Sequence, residues 1–184
     1  SNDTETASTK GPLSVARYGL VATGNASGGY FAGGLTGPKS TVDRIDYSND
    51  TAAASPKGPL SNSLHGSLLA ATGNSDFGYF GGGFPGPYST VDRIDYSNDT
   101  ATAVAKGPLS SARGYLGATG NSSFGYFGGS ATPVRSTVDR IDYSNDTATA
   151  VVKGPLSLAR GYLGATGNAD FGYFGGGMSP TYST

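Results

Sequence analysis

Apolar positions in this chain fall in short runs that glycine and proline keep interrupting. Almost no window places apolar residues at i, i+3, i+4 and i+7 without one of those two inside it. Long helices are therefore not expected. Instead, four short segments with β character recur in a fixed order. The first, "ARGYLGATG" at 112–120, is small and apolar and closes on Gly-Asn, a pair suited to a tight turn because both residues tolerate positive φ. The second, "FGYFGGG" at 77–83, sets aromatic rings beside glycines that let another backbone approach or the strand bend. The third, "STVDRIDYS" at 40–48, is rich in β-formers; the fourth, "TATAVAK" at 100–106, alternates Thr, Ala and Val until "GPL" stops it. Between third and fourth lies "SNDT", whose Asn and Asp can bond to the backbone and start a hairpin turn. Within "VDRID", Val42 and Ile45 point to opposite faces of a regular strand, so either a bulge realigns them or both faces are covered.

The four segments belong to a repeat. "KGPL" starts at Lys10, Lys57, Lys106 and Lys153, spacings of 47, 49 and 47. "STVDRIDYSNDT" occurs letter for letter from Ser40, Ser89 and Ser136, and Ser183-Thr184 are the first two letters of another copy. Four antiparallel strands per ~47 residues is the size of a propeller blade. The expected fold is all-β, a β-propeller built from four-stranded antiparallel blades in one array over 1–184, with units 1–39 (partial), 40–88, 89–135 and 136–182. The chain opens on a fourth segment ("TETASTK"), runs through three full sets and adds the first two segments of another. A ring closed on that arrangement leaves unpaired strand edges, so the chain is expected to be a section of a longer array or to be completed by another chain.

Composition narrows this picture. Of 184 residues 36 % are hydrophobic, with 31 glycines, 10 prolines, 12 tyrosines and 8 phenylalanines, so any core is thin or divided. Basic and acidic residues, 12 and 13, recur in every unit and leave a net charge of −1, which gives no footprint for nucleic acid or an anionic membrane. There is no cysteine, hence no disulfide frame and no thiolate metal site. No apolar run reaches the ~20 residues of a membrane span.

The order "PL..AR", an apolar strand, "GYFGGG", a loop and "STVDRIDYSNDT" resembles the kelch repeat over essentially the whole chain. Arg17, Arg113 and Arg160 match its arginine; Gly33-Gly34, Gly82-Gly83, Gly128-Gly129 and Gly176-Gly177 match its double glycine; Ile45, Ile94 and Ile141 stand where kelch usually has tyrosine. Two departures mark the chain as divergent. The kelch tryptophan falls on Ala52, Ala101 and Ala148, and the second unit has "SLHGS" in place of the arginine. Repeats this uniform are also similar to those of some phage and bacterial surface proteins.

Catalytic chemistry is hard to assemble from these residues, since duplication copies one group around a ring whereas a reaction needs different groups converging. His65 is the only histidine, and it lies in the two-residue insertion of the longer unit, a surface loop residue with no triad context. Asp43, Asp46 and Asp50 lack the spacing of a calcium loop; Asp43 and Arg44 are expected to form ion-pair ladders between strands or blades, and Asp50 to serve the turn. The glycine-rich runs precede no lysine-bearing helix and hold no phosphate. Asn-x-Ser/Thr acceptors at Asn2, Asn25, Asn49, Asn98, Asn121 and Asn145 are accounted for by turn chemistry. Lys10, Lys57, Lys106 and Lys153 are expected at one rim, chiefly as solubilised strand ends.

The sequence thus points to a non-enzymatic structural or interaction module without cofactor or metal, in a virion or extracellular assembly. Its expected partners are other protein chains or further repeats completing the ring, with no nucleic acid and no membrane insertion. A carbohydrate-binding propeller with one weak site per blade is the alternative, and a designed consensus repeat a second one, which the irregular loops "LTGPKS", "FPGPYS" and "ATPVRS" oppose. Those loops are the most variable part of the unit. Tyr88, Tyr115, Tyr162, Tyr182, Lys39 and Arg135 are the candidate contacts for a ligand or partner.

Overall fold

The computed structural model describes residues 4–36, 40–62 and 68–179. Three four-stranded antiparallel sheets follow one another along the chain. The first contains β1 (Val21–Gly24), β2 (Gly28–Ala32), β3 (Val42–Asp46) and β4 (Ser55–Pro56), the second β5 (Ala70–Gly73), β6 (Phe77–Gly81), β7 (Val91–Asp95) and β8 (Val104–Ala105), and the third β9 (Gly117–Gly120), β10 (Phe124–Ala131), β11 (Val134–Asp142) and β12 (Val151–Lys153). A hairpin of β13 (Gly161–Gly167) and β14 (Gly172–Met178) comes last. Each sheet keeps chain order, first segment at one edge and fourth at the other. The edge strands β1, β5, β9 and β13 touch in series, so the sheets stack side by side through their first strands.

Hydrophobic burial lies between sheets. One cluster joins Tyr30, Ala32 and Val42 of the first sheet to Leu69, Phe80, Ile94 and Ala103 of the second. Another joins Ala70, Tyr79 and Val91 to Leu116, Phe127, Ile141 and Ala150. The core is divided into slabs, one per junction. Strand alternation explains the division, because Tyr79 and Val91 face forward from the sheet whose Phe80 and Ile94 face back. Burying one such side chain contributes about 1.5–3 kcal/mol. The opposed faces of Val42 and Ile45 are resolved the same way: β2 and β3 pair without a register shift, and both faces of the corresponding strands in later sheets are covered. Among the described strands only β10 and β11 carry an irregularity, between Gly128 and Ser130.

Local structure departs from expectation at several points. The Gly-Asn turns do not use positive φ. Instead the asparagine side chain accepts backbone N–H groups ahead of it: Asn74 Oδ1 takes Asp76 N and Phe77 N, both at 2.9 Å, and Asn25, Asn121 and Asn168 act alike. The third segment ends as strand at Asp46, and Tyr47–Asn49 form a 3₁₀ turn. Its cap is Asp46, which accepts Ser48 N at 2.9 Å, so neither Asn49 nor Asp50 starts the turn. The fourth segment pairs over only two or three residues, and residues 4–10 join none of the described strands. "ATPVRS" is no loop: β10 and β11 run on through Ala131 and Val134 around Thr132-Pro133.

Candidate functional site

The most elaborate polar geometry sits at the sheet-to-sheet junctions, and the repeated phrase supplies it. Asp99, in the turn after β7, receives the Tyr30 hydroxyl at 2.8 Å and lies 3.1 Å from Lys57 and 3.9 Å from Arg44 of the first sheet. Asp146 receives Tyr79 at 2.9 Å, Arg93 at 2.8 Å and Lys106 at 3.2 Å from the second. Burial, and then the bond to the carboxylate, raises both tyrosine hydroxyls well above their usual range. Backbone bonds run alongside, Gly58 N to Asp99 O and Gly107 N to Asp146 O, each 2.8 Å. Approach is so close that a Cβ on Gly58 or Gly107 would collide with the carbonyl of Ala101 or Ala148. Ala101 and Ala148 are thus where the backbone of the preceding sheet lands. Tyr30 stacks on Tyr96 and Tyr79 on Tyr143 across the same junctions, centroids 4.6 Å apart, and burial pushes Tyr96 and Tyr143 up to about 12.

The expected Asp43–Arg44 ladder is not what forms. Asp43 pairs with Arg17, and Asp139 with Arg113, both pairs fully buried within one sheet. Each arginine ties the approach to the first strand to the third: Arg17 also donates to Gly33 O at 2.7 Å and Phe31 O at 3.0 Å. In the second sheet Asp92 is satisfied by Ser61 N and Oγ, at 2.8 and 2.6 Å. Arg44 reaches forward to the next sheet instead. Lys57 and Lys106 are junction residues rather than strand-end solubilisers, and Lys10 meets Asp50 in a more exposed pair.

Among the candidate contact residues, Tyr115 and Tyr162 come together, ring centroids 4.4 Å apart, with Phe84 5.7 Å from Tyr115. Both tyrosines have positive φ, as do Gly19 and Leu68 at the matching positions, and one backbone bond links each to the next: Leu68 N to Gly19 O, Tyr115 N to Leu68 O, Tyr162 N to Tyr115 O. The left-handed conformation turns each N–H toward the neighbouring sheet. Tyr88 is half-buried and bridges to Arg113; Arg135 is exposed on β11. Lys39, Tyr182 and His65 lie outside the described residues. Of the candidates, Tyr115 and Tyr162 thus share one aromatic row with Phe84.

At the opposite ends of the strands, open clefts of about 450 and 420 Å³ separate successive sheets. The first is lined by Asn25 of one sheet and by Asp76, Phe77, Asp95 and Tyr96 of the next; the second repeats the pattern with Asn74, Phe124, Asp142 and Tyr143. Asp95 and Asp142 are held below the usual carboxylate range, first by the Ser97 and Ser144 hydroxyls. Among the described residues no His, Cys, Asp and Glu side chains group as a metal site. The junction aspartates and the clefts escaped sequence reasoning because they join residues about 40 to 70 positions apart; the signal available was the constancy of Asp in "SNDT". No protein-family model matches the chain, and no curated protein matches it.

Proposed function

We propose that the chain is a propeller-type array of divergent kelch-like blades acting as a non-enzymatic scaffold, one that holds protein surfaces in an extracellular or virion assembly. The observation that carries this reading is the repetition of the polar groups. Tyrosine, arginine and lysine meet the same aspartate at consecutive junctions, so the charged residues are engaged in holding blades together. A scaffold of this kind presents the Phe84, Tyr115 and Tyr162 row on one face. Small-angle scattering and negative-stain imaging test the architecture: a flat, curved particle is expected, and a string of independently tumbling units would overturn it.

A carbohydrate-binding reading is favoured by the repeated clefts, each of which sets an aromatic ring beside asparagine, serine and a carboxylate. Weak equivalent sites in an array gain avidity. A glycan array separates the two readings, since no binding at millimolar sugar removes the carbohydrate one.

A further inference from the structure

The clefts of about 450 and 420 Å³ are two copies of one polar frame, the first between the first and second sheets and the other between the second and third. Seven residues line each, and six of the seven match in type from one cleft to the other. The same bonds build both. Asn25 Nδ2 crosses to Ser75 O at 3.2 Å, and Asn74 Nδ2 to Ser122 O at 3.4 Å, each tying a turn of one sheet to the next. Tyr96 is fixed by stacking on Tyr30, and Tyr143 by stacking on Tyr79. One oxygen of Asp95 accepts Ser97 N and Oγ at 2.9 and 2.6 Å, and Asp142 takes Ser144 in the same way at 3.0 and 2.7 Å.

The seventh position differs: it is Asp76 in the first cleft and Ser123 in the second. Both residues are exposed, and the carbonyl of each accepts the N–H of the lining tyrosine at 3.0 Å, Tyr96 for Asp76 and Tyr143 for Ser123. The variable residue is thereby held to the turn that carries Asp95 or Asp142. No lysine or arginine lines either cleft. The first cleft therefore offers two carboxylates and the second one, on a frame otherwise alike. A difference of one charge at a solvent-facing site sorts ligands by charge more than by shape.

Building on the carbohydrate-binding reading, we propose that residues 76 and 123 set which saccharide each cleft takes. The first cleft takes an amino sugar, whose ammonium faces Asp76. The second takes a neutral sugar, whose hydroxyl faces Ser123. The asparagine, serines and remaining aspartate are common to both and meet the ring hydroxyls that the two sugars share.

The test is amide NMR on the isotopically labelled 184-residue chain, in which residues 74–77 and 121–124 report the two clefts separately. The probes are a glucosamine trisaccharide, below the pKa of its amines, and a glucose trisaccharide of the same linkage. The glucose probe should shift both clefts alike. The glucosamine probe should favour the first cleft by about two- to fivefold, the range of an exposed ion pair. Asp76→Ser should erase that preference, and Ser123→Asp should give the second cleft the same affinity as the first. Each substitution installs the residue that the other cleft already holds on the same backbone bonds, so the fold is kept. Equal affinity of the glucosamine probe for both clefts, or a preference unmoved by the substitutions, would overturn the assignment while the glucose shifts leave the carbohydrate reading standing. A lysine tripeptide that binds the first cleft as well as the glucosamine probe would overturn it too, making the cleft a peptide site. No shift with either sugar overturns the assignment together with the carbohydrate reading.

Discussion

Replacing the turn aspartate of each repeated phrase by alanine makes one chemical change in different surroundings. Asp50 meets Lys10 at 3.2 Å, and the two side chains are 38 % and 47 % exposed. A surface pair of this kind contributes about 0–1 kcal/mol, so Asp50→Ala should cost less than about 1 kcal/mol. Asp146 is 8 % exposed and takes Tyr79 at 2.9 Å, Arg93 at 2.8 Å and Lys106 at 3.2 Å. Removing one member of a buried charge cluster costs about 3–5 kcal/mol. Arg93 and Lys106, 23 % and 13 % exposed, recover part of this by turning to water. The expected cost of Asp146→Ala is then about 2–4 kcal/mol. Asp146→Asn keeps an acceptor for Tyr79 while losing the charge, and should fall between. Urea denaturation followed by circular dichroism measures all three. Midpoint shifts of equal size for Asp50→Ala and Asp146→Ala, or none for either, would refute the reasoning.

The buried Arg113–Asp139 pair gives a second test: Arg113→Met strands the carboxylate and should cost about 3–5 kcal/mol by urea midpoint, and Arg113→Lys should not restore it because one ammonium does not reach both Asp139 and Thr137 O. Gly107→Ala drives a methyl into the Ala148 carbonyl and should lower stability by about 1–3 kcal/mol, whereas Gly154→Ala, with open space around it, should stay within about 0.5 kcal/mol in the same thermal melts. Burial pushes the Tyr96 and Tyr143 hydroxyls up to about 12, above the ordinary tyrosine range, so their neutral form is the one folding favours. Their contribution is whole below pH 10 and is lost as pH rises toward 12, at most about 1.4 kcal/mol per tyrosine per pH unit. Denaturation midpoints read together with phenolate absorbance check this, and a flat profile across that window would contradict it.

Much of the fold was legible because it is local and repeated. The four segments and their order within each sheet correspond to strands, apart from the opening "TETASTK", which joins none, and the low apolar content did mean a divided core. Turn chemistry was legible in kind but not in detail. Gly-Asn and "SNDT" do mark turns, yet Asn25 works through its side chain rather than through positive φ, and the 3₁₀ turn is capped by Asp46. Asp46 reads as a strand residue until the strand is seen to end there.

What the sequence by itself determined is the unit: period-2 alternation, glycine spacing and a repeated phrase specify one four-stranded sheet many times over. Which partner each charged residue takes was decided by tertiary structure. Asp43, Asp50 and Arg44 carry the same letters in every copy, but Asp43 turns inward to Arg17, Arg44 reaches forward to Asp99, and Asp50 is left with Lys10. A repeat spells the same side chains at each position, whereas burial and pairing depend on whether a neighbouring sheet stands there. That is why identical phrases are a buried junction at Asp146 and a surface ion pair at Asp50.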